Sequence, residues 1–319
     1  MNTNFPTSQE LKARARQLRQ EHAPRPTQVT LLYWLLGSVL VTAIGVAASW
    51  LLPASSDTLS APDLFLSLLL GLYGSVLTYG YSRWILWTSR GRPLENNALL
   101  DGFSEVGRVI MARVWTVVLL IGWAFLISIA MTVILLLLSN VWNPFLLFVL
   151  ALLTVGGCYL AIYLIALRYE LVDFLLAEFD QLTGVQAVRR SAELMQGQVG
   201  RMFRLKLSFL GWHLLEIGLV LGVSIVLAYP QVMAYINMIS ELNQYADWKL
   251  ILYAQYYSQA IQEVLYSVWG RGASLLISLP FLLYVMPYQR LAEAEFYTSL
   301  IRPQPQPQPQ PETPPWEER

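Results

Sequence analysis

Residues 190–215, RSAELMQGQVGRMFRLKLSFLGWHLL, lead from a basic, surface-like segment directly into apolar sequence. Arg201, Arg204 and Lys206 are the last cations before the apolar run. Cations favour the anionic headgroups of the cytoplasmic leaflet, whereas apolar side chains favour the hydrocarbon. The stretch therefore predicts a chain that enters a bilayer from its cytoplasmic side.

The composition extends this prediction to the whole chain. Of 319 residues, 55% are hydrophobic and 13% are charged, whereas charged residues make up about a quarter of a soluble domain. The 21 basic and 21 acidic residues cancel, so no overall field indicates nucleic acid as a partner. The single cysteine, Cys158, excludes an internal disulfide. We therefore predict an all-α polytopic membrane protein.

Six apolar segments approach the length of about 20 residues that crosses the hydrocarbon of a bilayer. In the second, Ser67, Gly71 and Ser75 recur every four residues, which predicts a close helix contact. In the short sixth segment, Pro280 and Pro287 predict a kink. The predicted spans lie near 31–52, 64–87, 114–138, 144–167, 205–228 and 273–289.

Lysine and arginine are sorted to one side of these six crossings. All but Lys249 and Arg271 of the 21 cations fall in the N-terminal arm (1–30), in two alternate connections or at the C-terminal end. An odd number of spans would scramble this distribution. The positive-inside rule predicts that both termini are cytoplasmic, and we expect a multi-pass protein of the plasma membrane.

The connection before the fifth span predicts an amphipathic helix over 184–203. Thr183 and Gln186 fit a capping box at its start. Two interpretations stay open: the helix lies on the anionic leaflet, or it packs under the bundle with its charges solvated. In the first, the lipid bilayer is the partner and the predicted headgroup contacts are Arg189, Arg190, Arg201, Arg204 and Lys206. The predicted apolar stripe consists of Val185, Val188, Ala192, Met195, Val199 and Met202.

Two further segments differ in composition from the spans. The segment 230–272 is polar yet rich in tyrosine and tryptophan, which favour a membrane interface, so we predict helices at the outer leaflet. A binding surface there is the alternative. The tail 303–319 is a Pro-Gln repeat that cannot sustain a helix and is predicted to be extended.

The C-terminal half resembles a known family. The matching pieces are FLLAEFDQLTGVQAV at 174–188, RRSAELMQG at 189–197 and MFRLKLSFLGW at 202–212, followed by Pro287-Tyr288 and, further on, Ala294, Phe296 and Tyr297. In these pieces the chain resembles the domain of unknown function 975 family of bacterial integral membrane proteins. The resemblance implies a polytopic membrane protein and implies no activity, so no catalytic residue follows from it.

Ionisable groups inside a span are expensive and are candidate functional residues. His213 and Glu216 stand three apart on one face of the fifth span, about 10 and 15 Å beyond Lys206 at helical rise. Such a pair could relay protons or bind a cation near the midplane. The alternative is a structural pair in which a neutral Glu216 is hydrogen-bonded to His213 or to another helix.

The remaining acidic residues predict surface chemistry. The four acids Glu170, Asp173, Glu178 and Asp180 could meet the basic residues of 189–206 in a surface network, and Glu293 and Glu295 are interpreted as solvated. Metal-ligand spacing, nucleophile elbow and phosphate-binding glycine loop are absent from the sequence, so we expect no metal, no cofactor and no enzyme.

These observations favour a non-enzymatic membrane protein that acts in interaction, as an accessory subunit or in the envelope, with an unidentified membrane protein as a possible partner. The alternative is a transporter with a midplane site at His213 and Glu216 and a kinked sixth span. A lipid-modifying enzyme is a third, weaker hypothesis.

Overall fold

The computed structural model describes residues 5–22, 25–51, 61–92, 96–138, 144–242 and 247–301. Within these ranges the chain is helical and contains no strand, which confirms the predicted all-α class. The predicted tail 303–319 lies outside the described residues. The helices are α1 Ser8–Glu21, α2 Arg25–Trp34, α3 Leu40–Leu51, α4 Ala61–Ser89, α5 Val106–Leu138, α6 Pro144–Ala166, α7 Val172–Glu178, α8 Gly184–Leu194, α9 Val199–Leu207, α10 Leu210–Leu227, α11 Tyr229–Leu242, α12 Asp247–Tyr266 and α13 Val268–Ile301.

Six helical segments are long and apolar enough to cross a membrane, as the sequence predicted. The third, predicted to begin at residue 114, begins at Ala98, and the sixth, predicted to end at residue 289, continues to Ile301. Both Pro280 and Pro287 lie inside α13. The helix continues because the residues after Pro287 bury one face in the protein, where Leu291, Ala292 and Ala294 are inaccessible to solvent. The candidate spans are Arg25–Gly45, Leu64–Ser89, Ala98–Leu138, Phe145–Glu178, Leu210–Leu227 and Trp269–Ile301.

The described chain divides into two compact units, Met1–Lys206 with Tyr288–Arg319, and Leu207–Pro287. In the first, α4 packs against a 3-10 helix, Asn96–Glu105, and against α7, while α5 packs against α6 and α8. Gly80 permits the first of these contacts, because a Cβ at this position would lie 2.0 Å from the backbone oxygen of Leu99. The second unit holds α10, α11, α12 and the beginning of α13.

The predicted amphipathic helix 184–203 is two helices, α8 and α9. The chain breaks at Gly197, whose φ of 72° lies in the left-handed region that only glycine adopts without strain. The predicted capping box is confirmed, since Thr183 and Gln186 each bond the other's backbone N–H. Of the apolar stripe, Val188, Met195 and Met202 are buried.

The first span contains a turn of π-helix, Leu35–Val39, between α2 and α3. A π-helical turn inserts one residue into the helical ladder and often accompanies a functional site. Gly37 and Ser38 lie within this turn.

The predicted outer segment is helical in α11 and α12, where Tyr235 and Tyr257 pack with ring centroids 5.9 Å apart. Its position relative to a membrane stays a prediction.

Candidate functional site

The predicted pair on α10 is in contact. Nδ1 of His213 lies 3.8 Å from Oε2 of Glu216, too far for a strong hydrogen bond. The Glu216 side chain is 27% exposed and His213 is more exposed. The three-residue spacing thus brings the two groups together, while their role in transport or packing stays a prediction.

All five predicted headgroup cations lie on α8 and α9. Arg189 is 84% exposed and approaches Glu193 at 3.8 Å, and the Arg190 guanidinium lies 4.6 Å from the centroid of the Phe179 ring. Arg201 donates to Oε1 of Gln198 and to the backbone oxygen of Pro6, and Arg204 donates to the backbone oxygen of Gly200. Their contact with lipid stays a prediction.

The fifth, Lys206, departs from the expected position at the headgroups. Its ammonium nitrogen lies 2.8 Å from Oε1 of Glu170 and 3.3 Å from Oε1 of Glu293, and its side chain is 16% exposed. Burial by itself would lower the pKa of Lys206, but the carboxylates of Glu293 and Glu170 outweigh that cost and raise it above its ordinary value. Lys206 therefore neutralises buried acids within the protein.

Glu293 was interpreted as solvated, and this was wrong. Its side chain is 1% exposed, and Arg290 donates to Oε2 at 2.9 Å while Gln289 donates to Oε1 at 3.1 Å. A buried carboxylate is tolerated when opposite charges and donors replace the lost water. We call Glu170, Lys206, Arg290 and Glu293 the central ion cluster, in which Arg290 also approaches Glu170 at 3.4 Å.

Two peripheral ion pairs flank this cluster. Arg90 lies 2.8 Å from Oε2 of Glu178, which also accepts a hydrogen bond of 2.7 Å from the Tyr297 hydroxyl. Nη2 of Arg113 lies 3.3 Å from both carboxylate oxygens of Asp173. Of the predicted network with residues 189–206, only the pair of Glu170 with Lys206 is found among the ion pairs of the described residues. Asp173 and Glu178 pair instead with Arg113 of α5 and with Arg90, which follows α4, and these acids are largely buried rather than on the surface.

A cavity of about 270 Å³ opens beside these groups. We call it the chamber; its polar lining is Thr78, Arg113, Thr116, Tyr169, Glu170, Asp173 and Arg290. A second cavity of about 410 Å³ adjoins it along α4, and we call it the groove. Its lining is Tyr33, Gly37, Ser38, Gly71, Gly74, Ser75, Leu77, Thr78 and Arg113, so that Thr78 and Arg113 border both cavities.

The glycines of the groove overturn one prediction. Ser67, Gly71 and Ser75 were expected to support a close helix contact, but a Cβ at Gly71 or at Gly74 would meet no atom within 4 Å. The small residues of α4 leave open space instead.

Sequence reasoning missed Arg113 and Arg290 as members of a site. A signal was present for Arg113, because a cation only seven residues into the helix Val106–Leu138 needs a partner. Arg290 pairs with Glu293, three residues along the same helix, and with Glu170, which is 120 residues away and which no local pattern connects to it. Among the described residues no group of three or more histidines, cysteines or acids could hold a metal ion.

Comparison with known protein families gives one match. The model of a family described as "Protein of unknown function (DUF975)" matches residues 1–303. The match therefore extends well beyond the C-terminal half that carries the resemblance in the sequence. Neither the curated proteins nor the solved structures contain a match to the chain.

Proposed function

The chain belongs to the DUF975 family, and from this premise we propose that it is a non-enzymatic membrane protein that acts by binding another component of the plasma membrane or envelope. The observation that carries the proposal is the exposed basic face of α8, held on a rigid base. Charge segregation in the sequence supports the orientation in which this face and both termini are cytoplasmic.

The base is rigid because its ionisable side chains are used internally. Glu293 accepts from three neighbours, and Glu178 is held between Arg90 and Tyr297. Side chains whose hydrogen-bonding capacity is occupied by fixed neighbours are poorly suited to bind and release a substrate repeatedly. This arrangement favours a structural role for the central ion cluster.

One face of α8 is buried in the protein, and its other face presents two arginines to a partner. The helix buries Ala187, Val188 and Ser191, and it packs against α5 and α7. Arg189 and Arg190 lie on the exposed side. A fixed basic face of this kind suits an acidic surface on a membrane protein or an anionic leaflet.

The test is the size of the native complex. The protein is extracted from its own membrane in mild detergent, and its assemblies are weighed by mass photometry. We expect the wild-type protein to have the mass of a complex with a partner. The double variant Arg189→Glu/Arg190→Glu should have the mass of the protein without that partner. The control is Gln196→Glu, which adds one negative charge at an exposed position between α8 and α9 and should keep the complex.

Two outcomes contradict the proposal. In one, the charge reversal leaves the complex intact, or the wild-type protein has only its own mass. In the other, the protein in vesicles moves a solute and His213→Ala with Glu216→Gln abolishes the flux at unchanged stability, which would establish the transporter in its place.

A further inference from the structure

The chamber and the groove differ in chemistry and share a boundary. The chamber is lined by two guanidinium groups and two carboxylates, whereas the groove is lined by glycines, small side chains, Leu77 and Tyr33, with Arg113 at the boundary that the two cavities share. We propose that together they bind one zwitterionic phospholipid of the phosphoethanolamine class, with the headgroup in the chamber and an acyl chain in the groove. This goes beyond the proposed function and does not depend on it.

The charges of the chamber fit a headgroup with both signs. Arg113 and Arg290 supply two cations, and Glu170 and Asp173 supply two anions, so the lining carries no net charge. A guanidinium presents several donors in the plane that phosphate oxygens match, and a primary ammonium offers three donors to carboxylates. An anionic headgroup has no ammonium for the two carboxylates and would add negative charge beside them.

The ion pairs of the chamber have capacity for a ligand. The contacts of Arg113 with Asp173, at 3.3 Å, and of Arg290 with Glu170, at 3.4 Å, are longer than charge-assisted hydrogen bonds, which measure about 2.7–2.9 Å. Arg113 is 37% exposed. Arg113 and Asp173 can therefore accept a further partner without first breaking a tight bond, whereas Glu170 and Arg290 stay anchored by Lys206 at 2.8 Å and by Glu293 at 2.9 Å.

The wall of the groove is less polar than its composition indicates. The hydroxyl of Ser75 donates to the backbone oxygen of Gly71 at 2.9 Å, and the hydroxyl of Thr78 donates to that of Gly74 at 2.7 Å. The Tyr33 hydroxyl, which also borders the groove, lies 3.1 Å from that of Thr78. Because these hydroxyls have partners within the protein, they place few unpaired polar atoms in the groove.

The groove extends along α4 in the direction that an acyl chain would take. From Thr78 to Gly71 the wall extends about 10 Å along α4 at helical rise, inside a candidate span. An acyl chain anchored at Thr78 and Arg113 would therefore run from the chamber toward the middle of the bilayer.

The experiment measures retained lipid by native mass spectrometry on the full chain, delipidated and then mixed with phosphatidylethanolamine, phosphatidylcholine or phosphatidylglycerol. Phosphatidylethanolamine should bind at least about tenfold more tightly than the other two, because only it offers both a phosphate and a hydrogen-bonding ammonium at zero net charge. Equal retention of phosphatidylglycerol overturns the zwitterionic assignment.

Substitutions separate the two cavities. Gly74→Leu fills the groove and should weaken phosphatidylethanolamine binding about tenfold, whereas Gly157→Leu in α6, where a Cβ also meets no atom within 4 Å, should leave it unchanged. Arg113→Gln removes a phosphate contact and one positive charge from the chamber, so it should reduce phosphatidylethanolamine binding without lowering the preference over phosphatidylglycerol. Thermal unfolding of each lipid-free variant checks that it is folded.

A soluble headgroup distinguishes a lipid from a free phosphate compound. Glycerophosphoethanolamine lacks acyl chains, so it should raise the melting temperature far less than the lipid at equal concentration. If it binds as tightly as the lipid, or if Gly74→Leu binds lipid like wild type, the groove takes no part and the proposal is wrong.

Discussion

Two side-chain pairs in this molecule share one spacing along a helix and differ in burial and in the number of neighbours. Arg290 and Glu293 are three residues apart on α13, and His213 and Glu216 are three apart on α10. Glu293 is 1% exposed and contacts Lys206 of α9 as well as Arg290 of its own helix. Arg290 in turn contacts Glu170. Glu216 is 27% exposed and lies 3.8 Å from its partner. Spacing on one helix brings two groups together, but neighbouring helices decide whether the pair is buried.

The largest expected effect comes from Glu293→Gln. The substitution leaves Lys206 and Arg290 buried with one carboxylate between them, so we expect a loss of about 3 kcal/mol in the free energy of unfolding. The measurement is unfolding in mild detergent followed by circular dichroism. Glu216→Gln is the matched control, since it makes the same chemical change in the other pair. Equal losses at the two positions would contradict the comparison.

Lys206→Met should cost less, about 2 kcal/mol, because Arg290 still compensates Glu293 and Glu170. The same unfolding assay applies. Arg204→Met, two residues away on the exposed side of α9, should change the free energy of unfolding by at most about 0.5 kcal/mol. If the two substitutions cost the same, the burial of Lys206 contributes nothing.

Alkaline pH removes the charge of Lys206 without changing the size of its side chain. The folded pKa of Lys206 lies above its unfolded value of about 10.4, so its contribution is complete below that pH and is lost as pH rises through the folded pKa. Wild type should therefore lose stability above about pH 10.4 relative to Lys206→Arg, which stays protonated in that range. Parallel stability curves would show that another group titrates.

The smallest effect is expected from His213→Ala with Glu216→Gln. Interactions between polar side chains within membranes average about 0.6 kcal/mol, and the contact between these two side chains is long, at 3.8 Å, so we expect a change below about 1 kcal/mol. The assay is again unfolding in detergent. A loss as large as that of Glu293→Gln would show that other groups hold the pair and would favour its structural interpretation.

The sequence predicted what depends on neighbours along the chain. Apolar runs predicted six spans, and Thr183 with Gln186 predicted the start of α8, because a capping box needs residues only three apart. The break at Gly197 was missed, since hydrophobic periodicity continues across it and only the backbone φ reveals the turn.

The central ion cluster could not be predicted because its members are distant in sequence. Arg290 and Glu170 are 120 residues apart, and the charges after Pro287 resemble those of any solvated helix end. The sixth span was therefore predicted too short, and Glu293 was assigned to solvent. The chamber depends on the same long-range contacts and was missed for the same reason.

The wide separation of these partners also constrains biosynthesis. Ribosomes add about 5–20 residues per second. Roughly ten seconds therefore pass between the synthesis of Glu170 and the synthesis of Arg290, which lies 120 residues later. A chain that ends before α13 has the carboxylate of Glu170 and the ammonium of Lys206 but neither Arg290 nor Glu293. The cluster is therefore complete only after α13 has been made.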